Sequence, residues 1–296
     1  MTTDITIAGL KIHIKHNYDD IHRVSSLFAY PANEEAKRRC IGASADHRNG
    51  GNATSTPSTA ERSPSLPEGG KDERKLSDET ETIQNPHFDI SVEVTEEDIR
   101  AEEEKTVAEA KLEKLPTPHY PDSYLETTAV YRKIADKMPA FGGVVFQGSA
   151  VAVGNKAYLF AAHSGVGKTT HTRLWLKNIE GSYVVNGDKP ILRVMDGVVY
   201  ACGTPWMGKE KLGVAKNVPL EAIVFLSRGK QNEIAEVPLS VVLPRLIEQT
   251  YRSPDPAVLS QTLDVIKQIA SRVRFYKLSC NMDPEAALIC YKGLTK

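Results

Sequence analysis

Long apolar runs are missing from this sequence: none approaches the ~18 uninterrupted apolar residues of a membrane-spanning helix. The first fifteen residues alternate isoleucine with polar side chains and never build the apolar block of a signal peptide, so a cytoplasmic protein without a membrane partner is expected. Charge of one sign is lacking too. The 37 Lys and Arg against 38 Asp and Glu leave a formal charge of -1, which offers nucleic acid no broad attraction. Cysteine is scarce, at 40, 202, 280 and 290 with no C-x-x-C spacing. Reduced thiols are therefore expected rather than a disulfide frame or a structural zinc site. What is present, 41% hydrophobic residues in a chain of 296, suffices for a real core and for an enzyme.

Residues 33–85 carry only ten hydrophobic residues and no aromatic one, with Ser, Thr, Pro, Gly and charge filling the rest. Such a stretch cannot bury enough surface to offset its ordering entropy, and a disordered low-complexity insertion is expected. Before it, in 1–32, Ile5, Ile7, Leu10, Ile12 and Ile14 approximate strand alternation broken at Ala8-Gly9, and Ile21, Val24 and Phe28 mark one face of a short helix. After it, in 86–140, Phe88, Ile90, Val92 and Val94 alternate as another strand. Both flanks read as one small accessory layer that the insertion interrupts. Thr95 with Asp98 caps a predicted helix running to Pro116, whose acidic run Glu96–Glu104 reads as a solvated face. Ser123 with Glu126 is the better-formed capping box, opening a helix to about Lys137.

The segment 141–296 alternates strands and helices and predicts an α/β core, a mixed β-sheet with flanking helices. Val144–Val153 and Lys156–Ala162 read as two strands joined by Gly154-Asn155. Further strands are expected at Tyr183–Val185, Ala222–Leu226 and Arg274–Leu278, with a hairpin of Ile191–Met195 and Val198–Ala201 across Asp196-Gly197. Helices follow at about Leu239–Tyr251, Pro256–Ser271 and from Pro284.

One string carries chemistry. The second strand runs into Ala162-His163-Ser164-Gly165-Val166-Gly167-Lys168-Thr169, and a helix from Thr170 follows. A phosphate-binding loop is written G-x-x-x-x-G-K-[ST] because successive backbone N–H groups curl around phosphate oxygens where a β-carbon would block approach. Ala162 replaces the first glycine, while Gly165, Gly167, Lys168 and Thr169 stand intact. The expected nucleotide contacts are Ser164, Gly165, Val166, Gly167, Lys168, Thr169 and Thr170, with Lys168 bridging the outer phosphates and Thr169 holding Mg²⁺. The strand after the loop's helix should end at the same sheet edge, which makes Asp188 the candidate to hold Mg²⁺ or accept a proton from an attacking hydroxyl. Lys168 and Asp188 are thus the expected catalytic pair. His163, the glycine-punctuated stretch Gly203–Lys211 with its exposed-looking Trp206, and Arg252 are further candidates, the stretch as a lid and the arginine as a phosphate clamp. No D-x-x-G follows the loop and no N-K-x-D is present, which argues against a switch GTPase.

From about residue 120 to 296 the chain resembles the C-terminal catalytic domain of HPr kinase/phosphorylase and, more widely, the phosphoenolpyruvate-carboxykinase-like P-loop superfamily. The resemblance rests on the strand–turn–strand entering Ser164–Thr169, on Phe146-Gln147-Gly148-Ser149-Ala150-Val151, Thr170-His171-Thr172-Arg173-Leu174-Trp175, Asn186-Gly187-Asp188-Lys189-Pro190, Gly203-Thr204-Pro205-Trp206 and Gln249-Thr250-Tyr251-Arg252. It implies a P-loop kinase-like core, ATP, Mg²⁺, transfer of the γ-phosphoryl to a hydroxyl of a protein serine or a small molecule, and hints at a homo-oligomer. Two positions depart from that family. Gln147 stands where it has a histidine, and Gly187-Asp188 where it has two adjacent aspartates. A glutamine orients but takes no proton. An ATP-dependent carboxykinase and a nucleotide-binding accessory module without turnover stay open beside the kinase.

Overall fold

The alternating isoleucines pair β1 (Thr2–Ile7) and β2 (Leu10–Lys15) as an antiparallel hairpin. It closes at Ala8-Gly9, where both residues take positive φ, 53° and 78°, a turn matched to the strands' twist. The computed structural model describes residues 1–29, 87–112, 114 and 116–296, so the predicted insertion at 33–85 lies outside the described residues. Across that gap β3 (Ile90–Glu93) pairs parallel to β2, with Ile12 beside Ile90 and Ile14 beside Val92. The small sheet therefore takes strands from both flanks of residues 30–86. Its buried isoleucines pack with α1 (Asp20–Ser25), α2 (Glu96–Leu112) and α3 (Asp122–Lys137) in one cluster that includes Ile21, Ile99, Leu125 and Ile134.

One capping expectation holds and one is corrected. Thr95 and Asp98 form the reciprocal box: the Asp98 carboxylate accepts the Thr95 N–H at 2.8 Å while Thr95 Oγ1 accepts the Asp98 N–H at 3.3 Å. Ser123 and Glu126 do not cap α3, which starts after Pro121 without a side-chain cap. Glu126, fully buried, instead accepts the Asn17 and Tyr18 N–H groups at 2.5 and 2.9 Å, because those two amides follow β2 into a bend with no strand partner. Nor is the acidic run wholly solvated. Glu102 is 3% exposed and accepts from Arg132 Nε at 2.8 Å and Lys105 Nζ at 3.0 Å.

The larger sheet is mixed and curled. Its strands are β4 (Gly143–Val145), β5 (Ser149–Val153), β6 (Lys156–Ala161), β7 (Ser182–Asn186), β8 (Ile191–Met195), β9 (Val198–Cys202), β10 (Asn217–Arg228), β11 (Glu233–Glu236) and β12 (Arg274–Cys280). The order is β4-β8-β9-β10-β6-β5-β7, with β12 on β10 and β11 beyond it. The curl comes from β10. Its residues Asn217–Pro219 pair antiparallel with β9, then from Ala222 it runs between β6 and β12, parallel to both, after a register shift near Leu220.

The single strand expected over Val144–Val153 is two strands. Phe146, Gln147 and Gly148 donate their N–H groups to three separate segments, at Pro190 O (3.0 Å), Gln249 O (2.7 Å) and Asp188 O (2.9 Å), so no one ladder continues through them. A Cβ at Gly148 would sit 3.0 Å from Phe160 O, so only glycine lets the chain pass there unstrained. Alternate residues of β6 face opposite layers. Leu159 and Ala161 meet α5 (Leu239–Glu248) and α6 (Pro256–Ala270), while Tyr158 and Phe160 meet α4 (Lys168–Asn178) and α7 (Glu285–Leu294). Among the described residues no helix is long and apolar enough to cross a membrane.

Replacing Glu126 with Ala leaves two amides without their acceptor, and urea unfolding should register a loss of about 1–3 kcal/mol. Glu126→Gln, which keeps one acceptor oxygen, should lose less. Equal stability of all three proteins would mean that water serves those amides as well as the carboxylate does.

Candidate functional site

β6 ends at Ala161, and residues 162–167 turn into α4. Gly165 and Gly167 hold φ of +78° and +128°, backbone an L side chain adopts only under strain, and nothing lies within 4 Å of where their Cβ atoms would be. The loop is thus open along its glycines. The N–H groups of Lys168, Thr169 and Thr170 form the first turn of α4 and have no helical acceptor, the first intrahelical bond being His171 N–H to Gly167 O at 2.9 Å. With the helix dipole behind them they make an anion-binding end.

Two cations serve the loop. Lys168 Nζ donates to Ala162 O at 2.6 Å and lies 3.5 Å from His163 O. Burial holds its pKa below the ordinary lysine value, against which the Asp188 carboxylate pulls upward. Asp188 is therefore close enough for its charge to be felt at the ammonium. Arg228, at the end of β10, donates to Gly165 O at 2.6 Å and to Val166 O at 3.4 Å. Sequence reasoning missed this arginine; the signal was its place at the carboxyl end of the strand next to β6.

Asp188 follows β7. That strand is not the neighbour of β6 that a simple crossover predicts, because β5 lies between them, antiparallel to both. β6 and β7 still point the same way, so the glycine loop and Asp188 leave by one edge of the sheet. The buried Asn186 fixes the turn: its Oδ1 accepts from the N–H groups of Asp188 (2.9 Å) and Lys189 (2.7 Å), and its Nδ2 donates to Thr204 O and Oγ1 (3.1 and 2.9 Å). Asp188 carries no hydrogen bond or ion pair to a described residue from its carboxylate. Around it stand Gly208, whose Cβ position is 2.9 Å from Asp188 Cβ, and Tyr124 and Tyr131, both held above the usual tyrosine pKa chiefly by burial and in part by this carboxylate.

A second aspartate has no room at 187. A Cβ there would lie 2.9 Å from Met207 O and 3.2 Å from Leu212 O. Gln147 is exposed at the same edge. Gln249, with its amide turned so that nitrogen faces acceptors, donates to Gln147 O at 3.1 Å and Ala162 O at 3.3 Å, so α5 is tied to the root of the glycine loop.

The stretch Gly203–Lys211 differs from expectation at its tryptophan. Trp206 is half-buried edge-on against Tyr131, with ring centroids 5.2 Å apart, and its indole N–H is buried without an acceptor among the described residues. Tyr131 also takes Lys189 Nζ over its face at 4.4 Å. Arg173 on α4 donates to Glu210 at 2.6 Å, joining the stretch to the loop's helix. His163 is exposed, with Nδ1 3.5 Å from Glu248 Oε1, and the exposed Arg252 bonds to no described residue. Ser164 and Thr169 are exposed, Thr170 half-buried. Among the described residues no group of three or more His, Cys, Asp and Glu gathers as a metal site.

No family model matches the chain. No curated protein matches it. Among solved structures it is similar to the Hpr(Ser) kinase/phosphatase from Coxiella burnetii, at 8% identity and a TM-score of 0.32, over 50% of this chain and 95% of that one.

Gly187→Asp tests how tightly the edge is closed. The added side chain should force the 207–212 backbone aside and lower stability by about 1–3 kcal/mol in thermal or chemical unfolding. A variant as stable as the parent would show that this stretch yields freely.

Proposed function

We propose that the chain binds ATP with Mg²⁺ and transfers the γ-phosphoryl to a hydroxyl of a protein serine or a small molecule. The observation that carries this reading is the shared edge: an open glycine loop at a helix N-terminus, with Asp188 near enough to act electrostatically on Lys168. The amides from Ser164 to Thr170 would line the phosphates. Lys168, now on Ala162 O, would swing to the β- and γ-phosphate oxygens as a point charge. Thr169 and one oxygen of Asp188 would hold the metal, which when bound supplies charge neutralisation on the transferring group. The other Asp188 oxygen would take the acceptor's proton as the new O–P bond forms and the bond to the β-phosphate oxygen breaks, releasing ADP. Asp188 needs no second carboxylate for this, since one carboxylate has two oxygens and the Asn186 hydrogen bonds fix its backbone.

A binding module without turnover is the second reading, and particular observations favour it. Gln147 offers no proton acceptor, and Gly187 is walled by Met207 O and Leu212 O.

One assay separates them: purified protein with radiolabelled ATP, Mg²⁺ and candidate acceptors. Lys168→Ala should weaken ATP binding by about tenfold or more with the melting temperature kept, since the side chain is only half-buried. Asp188→Asn should keep ATP affinity within about threefold and lower transfer by about 10²–10⁴-fold. Wild-type protein that binds ATP yet neither transfers nor hydrolyses it would leave the second reading standing.

A further inference from the structure

Lys189 follows Asp188 in the turn that Asn186 fixes, and both its backbone groups are bonded. Its N–H donates to Asn186 Oδ1 at 2.7 Å and its carbonyl accepts from Thr204 Oγ1 at 2.8 Å. The half-buried side chain crosses to α3 and lays its ammonium over the Tyr131 ring, 4.4 Å from the centroid. Among the described residues no oxygen takes a hydrogen bond from that Nζ and no carboxylate stands within ion-pair distance. An ammonium has several N–H donors, and a ring face answers its charge without accepting them as an oxygen would. Burial lowers its pKa, and the Asp188 carboxylate pulls it back upward.

Other lysines of the same layer are paired. Lys133 has Asp98 at 2.8 Å and Lys105 has Glu102 at 3.0 Å. Around Lys189 the acids are already engaged. Glu102 also holds Arg132 at 2.8 Å, and on the 203–211 stretch Glu210 is taken by Arg173 at 2.6 Å, between the exposed Lys209 and Lys211. The walls are aromatic. Trp206 and Tyr251 both stand edge-on to Tyr131, with centroids 5.2 and 5.9 Å away. A desolvated cation among rings, next in sequence to a carboxylate without a partner, is an incomplete pair that a ligand's own anion would complete.

We propose that Lys189 receives an oxyanion of the phosphoryl acceptor, a carboxylate or phosphate on the same small molecule as the hydroxyl that Asp188 activates. The proposal rests on the phosphotransfer reading above and narrows its acceptor to a small hydroxy acid or a phosphorylated alcohol. Asp188 and Lys189 are consecutive, so a short spacer between hydroxyl and anion suffices. The ammonium would offset the repulsion between that anion and Asp188, whereas a neutral alcohol would leave Lys189 unanswered. The transfer step is unchanged. The acceptor oxygen bonds to the γ-phosphorus, the bond to the β-phosphate oxygen breaks, Asp188 takes the hydroxyl proton, and Lys189 neither gains nor loses one.

Glycerol, D-glycerate and glycerol 3-phosphate are probes of similar frame that differ in charge. Titrated calorimetrically into the full chain with saturating ADP·Mg²⁺, at least one of the two anions should bind about tenfold or more tightly than glycerol, and which one does so separates carboxylate from phosphate. Lys189→Met, which keeps an apolar side chain on Tyr131, should reduce that preference to within about threefold, while Lys189→Arg keeps part of it. Lys168→Ala should leave the preference in place, which distinguishes Lys189 from the glycine loop as the anion's seat. Should Lys189→Met not fold, Lys189→Gln removes the charge at similar length. With radiolabelled ATP·Mg²⁺ the preference should appear as a KM difference of about tenfold that Lys189→Met abolishes, with ATP affinity kept within about twofold. Equal binding of the three probes, binding of none, or a preference that survives Lys189→Met would overturn the anion assignment and leave the phosphotransfer reading to its own test. Lys189-dependent anion binding without Lys168-dependent ATP binding would remove the phosphotransfer reading, and the acceptor role proposed for that anion with it.

Discussion

The side-chain amide of Asn186 holds the candidate site together. It is fully buried, and all its hydrogen bonds go to backbone or hydroxyl groups that have to be placed: two N–H groups of the turn that carries Asp188, and the carbonyl and hydroxyl of Thr204. Thr204 in turn donates to Lys189 O at 2.8 Å, which closes the circuit. A buried amide with every partner made is strongly directional, because any rotation of the turn leaves an amide without an acceptor in low dielectric. Gly148 N–H on Asp188 O adds a tie to β5, and through β5 to β6 and the loop. The carboxylate's backbone is therefore registered to the loop by hydrogen bonds rather than by side-chain packing, and its charged end has no partner among the described residues.

The loop is steadied differently. Its glycines are open, so it gains nothing from packing there, and its carbonyls are gathered by cations instead, Arg228 on Gly165 and Val166 and Lys168 on Ala162. Arg228 can stand there because β10, after its register shift, runs parallel beside β6 and ends at the same edge. The curl of the sheet and the charge at the loop thus share one cause.

Much of this was legible in the chain. The isoleucine alternation with Ala8-Gly9 marks the first hairpin, Asp196-Gly197 with φ of 50° and 78° marks the β8–β9 hairpin, and Gly165-Val166-Gly167-Lys168 marks a loop before a helix. These are local signals: period-two burial, positive φ and a helix start act within a few residues. What was not legible depends on distant partners. The break at Phe146–Gly148 follows from amides bonded to residues 190, 249 and 188. Glu126 looks like a capping residue until Asn17 and Tyr18 arrive from more than a hundred positions away. Trp206, between Pro205 and Met207, looks like a loop-tip aromatic, yet it packs against the core cluster that includes Tyr131 on α3.

His171 belongs to the same class. In Thr170-His171-Thr172-Arg173 nothing local separates a buried histidine from an exposed one; Phe160 on the strand below and Trp175 one turn ahead decide it. Its neighbours also explain why the residue is costly to keep. Trp175 supplies a donor where a second acceptor is needed, so the imidazole is held neutral with an N–H to spare, and an apolar side chain of similar size would relieve both the burial and the unmet bond. Unlike Asn186, whose hydrogen bonds are all made inside the protein, His171 has one left over. Asn186 completes the protein's own turn, whereas His171 Nδ1 is buried without a partner among the described residues.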